Sequence, residues 1–135
     1  MSRHSEGPIP FTILIVEDDA DQAATLATYL RTATDYRVET APDAESAFAS
    51  AQRNPPDVVI CDIGLPTLDG TAVVRELARL LPKRPLFLAL TGYGDLADEL
   101  FQSGFQHYYV KPADPPLLET VIRLHESRQR AGWSN

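Results

Sequence analysis

The chain has 135 residues, 44% of them hydrophobic, which suits one compact domain with a single core and leaves little length for a second folding unit. Its net charge of −7, from 12 basic and 19 acidic residues, argues against direct nucleic-acid binding, which needs a basic face. No apolar run approaches the roughly 18 residues of a membrane span, the start lacks the apolar stretch of a secretory signal, and the single cysteine, Cys61, excludes an internal disulfide; the expectation is a cytoplasmic protein without a membrane anchor.

Residues 1–10 are polar, contain Pro8 and Pro10, and read as a disordered lead. The first strand is expected at 12–16 (TILIV). Asp19 with Gln22 fits a capping box that opens a helix, whose apolar stripe is Ala23, Leu26, Ala27 and Leu30. A second strand at 36–40 (YRVET) alternates Tyr36 and Val38 with Arg37 and Glu39, the pattern of an edge strand. Ala44, Ala47, Phe48 and Ala51 mark the second helix, closed by Asn54-Pro55-Pro56. The third strand, 57–61 (DVVIC), is followed by a helical stripe of Val74, Leu77, Ala78 and Leu81, and the fourth strand is 86–90 (LFLAL). A short fourth helix carries Ala97, Leu100 and Phe101; the fifth strand is 107–110 (HYYV). Asp114 before Pro115 suits a cap with proline at the first helical position, opening a fifth helix striped by Leu118, Val121, Ile122 and His125. Periodicity fades from Ser127, so the domain is set at 11–127 with a flexible tail at 128–135. Apart from the second, the strands are nearly continuously apolar, as strands buried on both faces should be.

Strict βα alternation implies a doubly wound parallel sheet with right-handed crossovers and five helices on its two faces. In such sheets function gathers beyond the carboxyl ends of the strands. Glu17-Asp18-Asp19 follows the first strand, Asp62 the third, Thr91-Gly92 the fourth and Lys111-Pro112 the fifth. In the flavodoxin-like order 2-1-3-4-5 the first and third strands are neighbours, which sets Asp62 beside Glu17 and Asp18 and puts Thr91 and Lys111 on the other flank. Carboxylates about 4 Å apart at an effective dielectric of about 20 repel by roughly 4 kcal/mol. A divalent cation relieves this, and magnesium is typically held by one or two carboxylates with phosphate oxygens. Asp62, opposite the acidic pair, is the natural nucleophile toward phosphorus. Lys111 would neutralise phosphoryl charge, and the Thr91 hydroxyl would donate to a phosphoryl oxygen.

The motifs ILIVEDD (13–19), VVICDIGLPTLDG (58–70), LALTGYG (88–94) and YYVKP (108–112) resemble those of the receiver domains of two-component response regulators (CheY-like), over nearly the whole chain. DIGLP and LTGYG look most like receivers of hybrid histidine kinases and single-domain regulators. The resemblance implies a phosphoacceptor, not an enzyme, that takes a phosphoryl group from phosphohistidine onto Asp62 with Mg2+ as cofactor. Carried over by residue, Asp18, Asp62 and the Gly64 backbone carbonyl are metal ligands, with Glu17 acting through water. Thr91 and Lys111 bind phosphate and switch, and Tyr108 is the aromatic switch. Gly92, Tyr93 and Pro112 flank the site, and the Lys111-Pro112 bond is expected to be able to adopt cis. The implied partner is a histidine kinase or histidine phosphotransfer protein, with a monomeric or weakly dimeric state and an unassigned output. Two other classes compete. One is a pseudo-receiver that binds partners without phosphorylation, against which intact Asp18, Asp62, Thr91 and Lys111 argue. The other is a hydrolase of the haloacid dehalogenase kind, which needs an aspartate where Gly64 stands. The segment from Thr91 to Lys111 is short, which implies a trimmed fourth helix.

Overall fold

The computed structural model describes residues 9–64, 70–92 and 97–132. Five strands alternate with five helices: β1 Thr12–Val16, α1 Ala20–Ala33, β2 Arg37–Ala41, α2 Ala44–Arg53, β3 Val58–Asp62, α3 Gly70–Leu80, β4 Leu86–Thr91, α4 Ala97–Ser103, β5 His107–Val110 and α5 Pro115–Arg130. The strands form one sheet in the order β2-β1-β3-β4-β5, every pair parallel, as the alternation implied. Among the described residues no helix is long and apolar enough to cross a membrane.

The period-2 geometry of strands divides the sheet's side chains between two cores. Leu14, Val16, Val59, Cys61, Phe87 and Ala89 point to the face covered by α2, α3 and α4. Ile13, Ile15, Val58, Ile60, Leu88 and Leu90 point to the face covered by α1 and α5. Each Val, Leu or Ile taken fully out of water contributes about 1.5–3 kcal/mol, so this double-sided burial is what fixes the central strands in register. The stripe Ala23, Leu26, Ala27 and Leu30 is the buried face of α1.

Several details differ from the sequence reading. β3 and β4 each reach one residue further, because Asp62 pairs with Leu90 and Thr91 with Val110 in the parallel ladder. Asp62 and Thr91 are therefore the last rungs of strands. β2 begins at Arg37, the first partner in the β1–β2 register, and the Tyr36 ring before it lies tilted against Phe11 with ring centroids 5.0 Å apart. β5 is an edge strand and not a strand buried on both faces: Val110 is 46% exposed, while Tyr108 packs on one core and Tyr109 on the other. Phe101, assigned to the buried stripe of α4, is 48% exposed and meets Tyr108 edge-on at 5.9 Å, leaving Leu100 to enter the core. With seven residues, α4 is indeed short.

The helix starts are also revised. Asp19 caps α1 by accepting from the Asp21 and Gln22 amides, but the Gln22 side chain donates to Asp19 Oδ2 and does not complete a box. A reciprocal capping box occurs instead at Asp43 and Ser46, opening α2. Asp114 occupies the cap of α5 without a side-chain hydrogen bond. α5 continues past Ser127 to Arg130, whose guanidinium donates to Glu126 one turn back.

Candidate functional site

The carboxyl ends of β1, β3 and β5 bring Glu17, Asp18, Asp62 and Lys111 together. One carboxylate oxygen from each of Glu17, Asp18 and Asp62 lies within 4.8 Å of the others. Lys111 Nζ sits 3.0 Å from Glu17 Oε1 and 3.2 Å from Asp62 Oδ2. One ammonium thus meets two of the three carboxylates, and the cluster retains an excess of negative charge.

Each member is held by its element. Glu17 follows β1 directly, and its amide donates to the Ala41 carbonyl at 3.0 Å, which continues the β1–β2 ladder. Its side chain is only 3% exposed; Oε2 accepts from the Asp19 amide at 3.1 Å. Burial pushes the Glu17 carboxyl above its ordinary value, against the opposing pull of the Asp19 amide and Lys111. Asp18 is exposed and points its oxygen into the same cluster. Asp62 is the buried end of β3, and one of its oxygens accepts from the Gly64 amide at 3.0 Å. Burial works against the charge on Lys111, yet its bonds to Glu17 and Asp62 outweigh that and hold its pKa above the ordinary value.

Thr91 closes β4 beside Asp62's strand and is 1% exposed. Its carbonyl accepts from the Lys111 amide at 2.7 Å, which ties the two residues together through the main chain. The Lys111-Pro112 bond is cis, as the resemblance allowed. Tyr108 is three residues upstream, partly buried on the α4 side and against Phe101. Gly92 is exposed, and a Cβ there would meet nothing within 4 Å. Tyr93 lies outside the described residues.

A cavity of about 450 Å³ adjoins the cluster between α1 and the start of α5, with Glu17 and Lys111 in its wall and Ile15, Leu26, Leu90 and Pro112 giving it an apolar lining. Gln22 and Thr25 on α1 also line it. The sequence reading used Gln22 only as a helix-capping residue and did not single out Thr25. They fall on the solvent side of the α1 stripe, next to the turn that carries the acids, and that adjacency was the available signal. The donor set is hard oxygen, part buried and over-negative, and it fits a small divalent cation that keeps several waters.

Residues 13–123 match the family model described as the response regulator receiver domain. Among curated proteins, the transcriptional regulatory protein PrrA of Mycobacterium tuberculosis is 34% identical over 122 residues, which cover 89% of this chain and 51% of that protein. Among solved structures, the chemotaxis protein CheY4 of Vibrio cholerae superposes with a TM-score of 0.74 at 31% identity, covering 83% of this chain and 96% of that one. A CheY-like receiver domain protein of Methanospirillum hungatei gives a TM-score of 0.76 at 28% identity, covering 89% and 97%. The chain spans about half the length of the curated relatives it matches.

Proposed function

Because this chain belongs to the response regulator receiver domain family, we propose that it accepts a phosphoryl group from a phosphohistidine onto Asp62 and uses the resulting charge to change its surface. The receiver unit is assigned to residues 11–127. The observation that carries the reading is the convergence of three carboxylates within 4.8 Å, with Lys111 bonded to two of them.

In the transfer, an Asp62 carboxylate oxygen forms a bond to phosphorus as the donor's nitrogen–phosphorus bond breaks, and the leaving imidazole keeps the electron pair. Asp18, Asp62 and the Gly64 carbonyl would hold magnesium, with Glu17 acting through water; when bound, the ion neutralises charge on the carboxylates and on the phosphoryl oxygens. The Gly64 amide fixes one Asp62 oxygen and leaves the other beside Lys111. Lys111 then exchanges its contact with the Asp62 carboxylate for a phosphoryl oxygen, and the Thr91 hydroxyl donates to a second. Movement of Thr91 toward the phosphoryl group opens room that Tyr108 turns into, and this biases the exposed surface around α4 and β5 between two states. The donor is assigned to a histidine kinase or a histidine phosphotransfer protein.

Incubation with acetyl phosphate and magnesium, followed by intact-mass measurement, should show a phosphate-sized gain in the wild-type chain and none in Asp62→Asn. No gain in the wild type, or an equal gain in the variant, overturns the reading.

A further inference from the structure

We propose that Gly70 is a positioning residue for the phosphoacceptor site: its missing side chain lets the first turn of α3 rest on the main chain of Asp62 and Ile63, and this seat sets where the Asp62 carboxylate points. The inference rests on the reading of Asp62 given above. Gly70 is buried, and its amide donates to the Ile63 carbonyl at 3.1 Å. A Cβ built on Gly70 would lie 2.6 Å from Ile63 Cα and 2.9 Å from the Asp62 carbonyl oxygen. Both obstacles are backbone, so neither can swing aside as a flexible side chain would. Positive φ is found among the described glycines at Gly104 and Gly132 and not at Gly70, so conformational freedom does not explain glycine here. Close approach does.

What the approach supports is the segment that orients the nucleophile. The Ile63 amide is pinned to the Leu90 carbonyl at 3.1 Å, and the Gly64 amide holds Asp62 Oδ1 at 3.0 Å. A methyl group at Gly70 must lift α3 or shift residues 62–64 by several tenths of an ångström, comparable with the tolerance of about 0.5 Å for a working site. By helix propensity alone, alanine at the start of α3 should be an improvement, so the seat predicts the opposite sign from the local rule.

The test compares Gly70→Ala with Gly104→Ala. Gly104 has φ of +117° and a crowded Cβ position, so its alanine variant is also strained, but it precedes the amino end of β5, whereas the carboxylates lie at the carboxyl ends of β1 and β3. Magnesium affinity by calorimetry and acetyl phosphate labelling should each fall at least tenfold in Gly70→Ala, and stay within twofold of wild type in Gly104→Ala, at equal loss of Tm. Wild-type affinity in a folded Gly70→Ala, or an equal loss in Gly104→Ala, overturns the proposal. Should Gly70→Ala not fold, amide exchange in the wild type decides: saturating magnesium should slow exchange at Gly70 more than at Ala47, and equal slowing overturns it. A wild type that binds no magnesium overturns instead the reading of Asp62.

Discussion

Two regions of this molecule collect carboxylates, and they treat them in opposite ways. On the flank where α5 packs beside α1, each acid is matched locally. The Tyr29 hydroxyl donates to Glu119 at 2.6 Å, and Arg123 donates to the same carboxylate at 2.7 Å. One heptad on, Tyr36 donates to Glu126 at 2.8 Å and Arg130 pairs with it at 2.7 Å. At the rim, Glu17, Asp18 and Asp62 converge, and Lys111 bonds to two of them, Glu17 and Asp62. The hydrogen bond from Tyr29 holds the Glu119 carboxyl below its ordinary value, and for Glu126 the bonds from Arg130 and Tyr36 outweigh burial with the same result. Burial pushes Glu17 the other way. The signs of the pH dependence follow. The flank acids contribute stability above their unfolded value near 4.5 and lose it as pH falls through their lower folded values. Glu17, with a raised folded value, contributes below 4.5 and loses that contribution as pH rises through it. A balanced acid fastens the fold, whereas an unbalanced one carries a stability cost.

Breaking the rim should give the largest effect. Lys111→Ala is expected to slow labelling of Asp62 by acetyl phosphate about 100-fold, the usual scale for loss of one charge-stabilising donor, with the circular dichroism spectrum unchanged. Labelling within a few-fold of wild type would show that the lysine is not a phosphate-binding group. Breaking the flank should do the reverse. Tyr36→Phe removes a hydroxyl from the Glu126 carboxylate and should cost about 1 kcal/mol in urea unfolding, with magnesium affinity unmoved; a loss of affinity would mean that the two regions are coupled. The smallest effect concerns His125, buried at 4% exposure on α5 beneath Phe11 at 6.4 Å. Burial holds its imidazole below the ordinary value of 6.5, against the pull of Asp57 and with Lys83 and Arg128 adding to the fall. Its stabilisation is full above pH 6.5 and is lost as pH falls through the folded value. His125→Leu should flatten the pH dependence of Tm between pH 7 and 5, and an unchanged slope would assign that dependence to other groups.

The contrast also explains what could be read from the sequence. Alternation of elements and the type of residue at each strand end were legible, because doubly buried strands need unbroken apolar runs and function gathers at one rim. The stripe of α1 was legible residue by residue, since a helix facing a sheet shows its period plainly. Partner-dependent features were hidden. An aromatic pair such as Tyr108 and Tyr109 reads as a buried strand, although only packing on a single neighbour makes β5 an edge. Asp19 and Gln22 had the spacing of a capping box, but Glu17 had already taken the Asp19 amide that the box requires. The crowding at Gly70 depends on how closely the start of α3 folds back onto the end of β3, a distance that residue periodicity does not carry.

Thr91 has a further property, set by its own covalent shape. Its main chain is fixed by pairing with Val110 and by the short bond from the Lys111 amide, and its side chain is buried. Rotation about the Cα–Cβ bond is the freedom that remains, and branching at Cβ limits it to a few staggered wells. The hydroxyl therefore cannot drift by degrees as nearby charge changes. If Thr91 answers phosphorylation of Asp62 as proposed, it does so by a jump from one well to another, and a graded input at the carboxylates would leave the sheet as a digital one.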